Sequence, residues 1–308
     1  MSSALLCFGN LQFDVLCRTV IALPAPGRLQ EVEHIDFSLS GNGGNVAAVL
    51  GRLGIPVELA GYSGADLIGE QLRTLLVDLG VGIDKLQRHV SAGTGTSVIT
   101  LSPDGERSIL FVNGANACFD LNAVPENWLI GKQVVVVSSV FVLPQFTGEA
   151  VGRLFSRARR HGATTLLNIC WDAHNLGIPF LGPALSETDY FILSYDEGRH
   201  LTGHTLPETI LASLAPHTRG TVVLTLGADG CCLGTESGLQ TIPALPVKAV
   251  DCTGAGDSFV AGFSAGLVEG RSVVECARLG CAVASFAVTG AGAYARTPTL
   301  VEIEHIVA

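Results

Sequence analysis

The run Asp251-Cys252-Thr253-Gly254-Ala255-Gly256-Asp257-Ser258-Phe259 combines a carboxylate with a glycine turn at the start of a helical pattern. Gly254 and Gly256 permit tight, positive-φ backbone geometry that a side chain would obstruct. Beyond them Phe259, Phe263 and Leu267 recur every four residues, with Val260 alongside, marking one face of an α-helix. A glycine turn feeding a helix N-terminus gathers unpaired N–H groups at the positive end of the helix dipole, which attracts an anion. Asp257 puts a carboxylate inside that turn. The combination suits phosphoryl transfer: the turn cradles phosphate and the carboxylate takes a proton from the attacking hydroxyl. Taken alone, the same residues also make an ordinary acidic first turn, worth roughly 0.3–1 kcal/mol through the macrodipole.

A second glycine-rich helix start lies toward the other end of the chain, from Ser40-Gly41-Asn42-Gly43-Gly44-Asn45 to Gly54. Val46, Val49, Leu50 and Leu53 stand at helical spacing, and Gly54 supplies the C-terminal stop. Asn42 and Asn45 carry donors and acceptors suited to a polyhydroxylated ligand. With both runs in this order, the chain resembles the ribokinase-like (PfkB) carbohydrate kinases. Their signatures are a Gly-Gly-x-Gly-x-Asn helix start near the N-terminus and an Asp-x-x-(Gly/Ala)-(Ala/Gly)-Gly-Asp helix start near the C-terminus. The resemblance runs from Gly9 to about Val301.

The resemblance implies an ATP-dependent kinase acting on a hydroxyl of a small sugar, with Mg2+ accompanying the nucleotide. Asp257 matches the catalytic base, and the amides of Gly254, Ala255, Gly256 and Asp257 match the anion hole for the transferring phosphoryl group. Asp14, in Gly9-Asn10-Leu11-Gln12-Phe13-Asp14, matches the carboxylate that holds sugar hydroxyls. Asn45 matches the sugar-binding asparagine, with Gly41 and Gly43 permitting close backbone approach. Thr225, Gly227 and Gly230 match the Thr-x-Gly-x-x-Gly turn along the nucleotide, although Ala-Asp-Gly between strands is also a common hairpin composition. The stretch 287–292 would flank adenine. With Asp251 and Thr253 it would form the monovalent-cation (K+) site found in many members.

Three positions depart from the family pattern. Ser194-Tyr195-Asp196-Glu197 keeps the glutamate linked to magnesium and phosphate through water, here Glu197, but has Ser194 in place of the usual asparagine. Cys281 stands where many relatives have an asparagine near the nucleotide. Val140–Leu143 offers no acidic residue of the kind with which ribokinases hold ribose, which weakens ribose as the substrate. Nucleosides are the alternative substrates on the same fold. A non-catalytic sugar- or nucleotide-binding relative is the alternative class.

The elements that must position these groups alternate along the chain. Strand-like runs at Leu5–Phe8, Val57–Gly61, Val134–Ser138, Thr165–Asn168, Tyr190–Leu193 and Val222–Leu226 are separated by helical patterns, including Asp66–Leu79, Thr147–Arg160 and Pro207–Leu214. This predicts an α/β fold, a doubly wound, mostly parallel sheet flanked by helices, with ligands at the carboxyl ends of the strands. Val15–Ile35 and Gly95–Val112 are strand-rich without intervening helices, and Ser97–Leu101 and Arg107–Val112 flank the turn Ser102-Pro103-Asp104-Gly105-Glu106. Strands within about 11–39 and 95–113 therefore predict a small sheet. In ribokinase-like proteins such a sheet is a lid over the sugar and often the dimer interface, which implies a homodimer. Nothing in composition divides residues 1–308, so a single kinase domain with a lid is expected.

The chain has 308 residues, 48% of them hydrophobic and 15% charged, with a net charge of −10. That charge argues against nucleic acid and anionic membranes as partners. The most apolar stretches, Val134–Leu143 and Leu279–Ala295, are too short or too diluted to span a bilayer and read as buried strands and a core helix. No secretory signal pattern opens the sequence, and nine dispersed cysteines without Cys-x-x-Cys predict reduced core thiols and a cytoplasmic protein. Neither glycine run has the third glycine of a dinucleotide fingerprint, and the one Gly-Lys, Gly131-Lys132, is followed by Gln133 rather than Ser or Thr. A metal cluster of Glu197, His200 and His204 fails because Gly203 interrupts the helix that would carry it.

Overall fold

Each strand run read as apolar throughout becomes a strand buried on both faces. The structure is a computed structural model and describes residues 4–104, 106–235, 238–290, 292–294 and 296–307. Gly105 of the expected hairpin turn and Ala291 of the adenine-flanking stretch lie outside the described residues. The first half of the chain forms β1 (Leu5–Phe8), β2 (Gln12–Arg18), β3 (His34–Ser40), α1 (Asn42–Arg52), β4 (Val57–Gly64), α2 (Leu67–Asp78), β5 (Val81–Gly82), β6 (Leu86–His89), β7 (Thr96–Leu101) and β8 (Arg107–Val112). Through the middle run β9 (Val134–Val137), α3 (Gly148–Arg160), β10 (Thr164–Asn168), α4 (Gly177–Leu185), β11 (Tyr190–Ser194), α5 (Tyr195–Thr202) and α6 (Pro207–Leu214). The rest comprises β12 (Thr221–Thr225), β13 (Cys231–Thr235), β14 (Gly238–Ile242), α7 (Ala255–Val268), α8 (Val273–Ala287) and α9 (Leu300–Val307).

The main sheet runs β14-β13-β12-β11-β10-β9-β1-β4-β5, with β6 beside β4. Its pairs are parallel except at the β12–β13 and β13–β14 hairpins. The pleat sends alternate residues to opposite sides. Leu5, Cys7, Val134 and Val136 join a core with α1, α2, α7 and α8, whereas Leu6, Phe8, Val135 and Val137 join one with α3, α4 and α6. Cys231 and Cys232 divide between the two cores in the same way, and all nine cysteines are free thiols.

Two boundaries differ from the sequence reading, each for a local reason. The helix expected within Leu279–Ala295 begins at Val273, because Ser272 and Glu275 form a capping box there, and it stops at Ala287. As the sequence predicts, the His200 helix ends where Gly203 turns left-handed at φ 72°, leaving His204 exposed beyond it. The strands expected within Val15–Ile35 are displaced outward to Gln12–Arg18 and His34–Ser40, where β2 pairs antiparallel with β3 and parallel with β7. The resulting small sheet runs β3-β2-β7-β8, separate from the main one, and every residue of β8 is exposed. No helix among the described residues is long and apolar enough to cross a membrane.

Candidate active site

Both glycine-rich helix starts meet at Asp257. Gly254 caps α7 at φ 73°, so the chain enters the helix with Ala255, Gly256 and Asp257 in its first turn. Asp257 is only 6% exposed, and each of its oxygens accepts one side-chain amide from α1: Asn42 Nδ2 donates to Oδ1 at 2.9 Å and Asn45 Nδ2 to Oδ2 at 2.8 Å. Burial pushes the carboxyl from 3.8 up to about 6, against the lowering effect of the two amides. The carboxylate is thus oriented by neutral donors and poised near physiological pH.

The start of α1 is held equally closely. Asn10 Oδ1 accepts from Asn42 N at 2.9 Å and from Ser139 Oγ at 2.6 Å, with Ser139 itself at φ 68°. A Cβ on Gly43 would stand 2.7 Å from Gly9 Cα, so the backbone after β1 packs directly on the first turn of α1. Gly41 caps α1 at φ 85°. Asn10, Ser139 and the Asn42–Asp257 bond have no short motif of their own. The one visible signal was the interruption of an apolar run by Ser138-Ser139.

Two adjoining cavities open beside Asp257. The larger, about 290 Å³, is lined by Thr225, Gly227, Gly230 and Cys281 together with apolar residues such as Pro246 and Val288. The smaller, about 100 Å³, is lined by Asn42, Ser194, Glu197 and Asp257, and both cavities share Thr225 and Gly256. The structure therefore gathers the residues expected near a nucleotide around one side of Asp257. Cys281 lies against Cys231, Sγ to Sγ 3.7 Å. Ser194 caps α5 by a reciprocal box, its N–H donating to Glu197 Oε2 at 2.7 Å. Burial raises the Glu197 carboxyl, and the charge of Asp257 adds to the rise.

Asp14 stands apart from these cavities, on β2 of the small sheet. Burial raises its carboxyl against the hydroxyls of Ser40 and Ser97, and its Oδ1 has no hydrogen-bond partner. Asn45 Oδ1 is likewise buried and unpartnered. Two orphaned acceptors among the residues matched to sugar binding are what an absent polyhydroxyl donor would leave.

Asp251 and Thr253, matched to a monovalent cation, are already engaged. Asp251 Oδ1 accepts from Thr253 N at 2.9 Å and Thr253 Oγ1 at 2.7 Å, and its Oδ2 accepts from Gly292 N at 3.1 Å. Arg107 Nη2 lies 3.5 Å from Asp251 Oδ1 and 3.2 Å from Thr253 Oγ1. Burial alone would raise the Asp251 carboxyl, but these donors and the guanidinium hold it below its ordinary value. Asp251 Oδ1 is thus crowded by two donors and a guanidinium, whereas Oδ2 accepts one N–H. Among the described residues no cluster of three His, Cys, Asp or Glu could hold a metal.

Residues 2–300 match the sequence pattern described as pfkB family carbohydrate kinase. The chain belongs to the pfkB family. A ribokinase of Schizosaccharomyces pombe is 26% identical over 312 residues, covering 96% of this chain and 95% of that protein. A nucleoside kinase of Methanothermobacter thermautotrophicus is 27% identical over 295 residues, covering 96% of this chain and 92% of the other. The structure of Arabidopsis thaliana ribokinase complexed with ribose and ATP superposes with a TM-score of 0.86 at 25% identity, covering 100% of this chain and 99% of that one. As a pfkB kinase the chain is a phosphotransferase on the ribokinase-like fold, and its kinship is with sugar and nucleoside kinases.

The glycines of the turn into α7 separate two kinds of effect. A Cβ at Gly254 would collide with Ala293 Cβ, whereas one at Gly256 meets nothing within 4 Å. Left-handed backbone costs a non-glycine residue about 1–2 kcal/mol, and the collision adds to it. Gly254→Ala is expected to lower Tm by about 2 °C or more in calorimetry. Gly256→Ala is expected to keep Tm while weakening nucleotide binding, since its methyl would enter the shared wall of both cavities.

Proposed function

We propose that this pfkB kinase transfers the γ-phosphate of ATP to a hydroxyl of a small sugar, with Asp257 as general base and the amides of Gly254, Ala255, Gly256 and Asp257 as the anion hole. The observation that carries this is the state of Asp257: buried, gripped by Asn42 and Asn45, pushed up to about 6, and set in the first turn of α7. A base of that pKa is ionised at neutral pH yet still basic enough to take a hydroxyl proton as the oxygen attacks. The N–H groups at the start of α7 would stabilise the charge that gathers on the transferring phosphoryl oxygens, with Ala255 N also donating to Cys252 O at 3.2 Å.

Asp14 and Asn45 would hold the sugar through the acceptors they leave unpaired, with Gly41 and Gly43 allowing close backbone approach. Thr225, Gly227, Gly230 and Cys281 would line the nucleotide. Magnesium, bound with ATP, would partly neutralise the phosphates. Glu197 fits that task through water, because its carboxylate, raised by burial as that of Asp257 is, lines a cavity shared with Asp257. The small sheet would act as a lid, and its exposed apolar residues Phe37, Ile109, Leu110 and Phe111 suit a homodimer interface. Nine free thiols suit a cytoplasmic setting.

Nucleosides are the second reading, supported by the relative from M. thermautotrophicus. A screen of ATP consumption across sugars and nucleosides tests both. Turnover with a small sugar is the expected result. Binding of ATP or sugar without turnover of any substrate would replace the kinase reading with a binding protein.

A further inference from the structure

Arg107 is the candidate that reaches furthest beyond the proposed site. It sits at the start of β8 on the small sheet, yet its guanidinium lies against Asp251 and Thr253, in the loop that leads into α7. Among the described ion pairs it is the one that joins the small sheet to that loop. Asp251 Oδ1 already receives two donors from Thr253, Oδ2 receives Gly292 N, and the Thr253 hydroxyl spends its proton on Asp251. Oδ1 is thus crowded by two donors beside the guanidinium, and an ion placed next to that guanidinium would be repelled by it.

We propose that Arg107 is a positioning residue that supplies, from the small sheet, the positive charge beside Asp251, so that the anion turn is organised without a monovalent cation. The guanidinium holds Asp251, Asp251 holds Thr253 and Gly292 through their N–H groups, and Thr253 precedes the Gly254 turn. Because the charge travels on the small sheet, the turn is completed when that sheet lies over the site. This rests on the kinase reading for its catalytic consequence but not for its structural one.

The test compares wild type, Arg107→Ala and Arg107→Lys in KCl and in tetramethylammonium chloride at equal ionic strength. Tm is read first, because it does not depend on turnover. Wild type and Arg107→Lys are expected to shift by less than about 1 °C between the salts, and Arg107→Ala to gain about 3 °C or more in KCl as the ion binds the vacated place. With an active substrate in hand, Arg107→Ala is expected to lose about ten-fold in turnover without K+ and to regain it with K+. A wild-type protein stabilised or activated by K+ as strongly as Arg107→Ala overturns the proposal, and so does an Arg107→Ala protein indifferent to the salt. Absence of turnover by wild type with any substrate overturns the kinase reading instead, and the Tm comparison still decides the role of Arg107.

Discussion

Asp257→Asn is expected to lower turnover by about two to four orders of magnitude, the range for losing a positioned general base. The substitution keeps the shape of the side chain and the space between α1 and α7 while removing its basicity. Stability should change far less. Between about pH 4 and 6 the native carboxyl keeps a proton that the unfolded chain has released, so stability falls as pH rises through that window. Above it, the buried charge costs roughly 3 kcal/mol relative to a neutral group. The Asn variant relieves that cost but turns one accepting oxygen into a donor facing Asn42 or Asn45, so its stability at pH 8 should lie within about 2 kcal/mol of wild type by chemical denaturation, which separates lost chemistry from lost folding. The wild-type kcat/KM should climb about ten-fold per pH unit below 6 and level off above it, and residual activity of the variant should lack that limb. Near-normal turnover in Asp257→Asn would remove the carboxylate from the mechanism.

What made Asp257 legible in the sequence was that its neighbourhood is local. Gly254, Gly256 and the apolar spacing of Phe259 and Phe263 lie within a few turns of chain, so the helix start and the glycine turn before it are written contiguously. The same holds for strands such as Val134–Val137, whose unbroken burial follows from helices on both faces. Partners that arrive from far along the chain were not legible. The Asn42 and Asn45 amides reach Asp257 across more than two hundred residues, and Arg107 reaches Asp251 from another sheet. The parallel pairing of β2 with β7 depends on registers that no spacing encodes, and so does the pairing with β3, whose Gln12↔Ser40 register sets the start of β2. The start of α8 is different: Ser272 and Glu275 spell a capping box in plain sequence, and the longer apolar run after Leu279 drew the boundary away from it. Ser194 was met as a departure from the family, and its place is explained by the helix it caps. A serine can cap α5 as an asparagine could, so the local fold tolerates the change whatever it does to the ligand.

Asp14→Ala is expected to act on the sugar and leave ATP untouched. Asp14 lies on the small sheet, outside both cavities beside Asp257, so its loss should not alter the nucleotide's surroundings. Its Oδ1 is buried and receives no donor from the protein, a position that costs free energy until a ligand hydroxyl fills it. A carboxylate gripping two hydroxyls contributes about 1.5–3 kcal/mol through each charged hydrogen bond. Removing both should cut kcat/KM for the sugar by about 10²–10⁴-fold, mostly through KM, with the KM for ATP within about two-fold of wild type. Truncation deletes an unsatisfied buried acceptor but also the hydrogen bonds from Ser40 and Ser97, so Tm should move by no more than about 2 °C. Substrate analogues sharpen the result. For wild type, a deoxy sugar lacking the hydroxyl that Asp14 holds should be the poorest substrate, because the acceptor then stays unpaired in the complex. For Asp14→Ala, the parent sugar and that deoxy analogue should become nearly equal. An unchanged sugar KM in Asp14→Ala would move substrate recognition off the small sheet and onto the Asn45 side of the site alone.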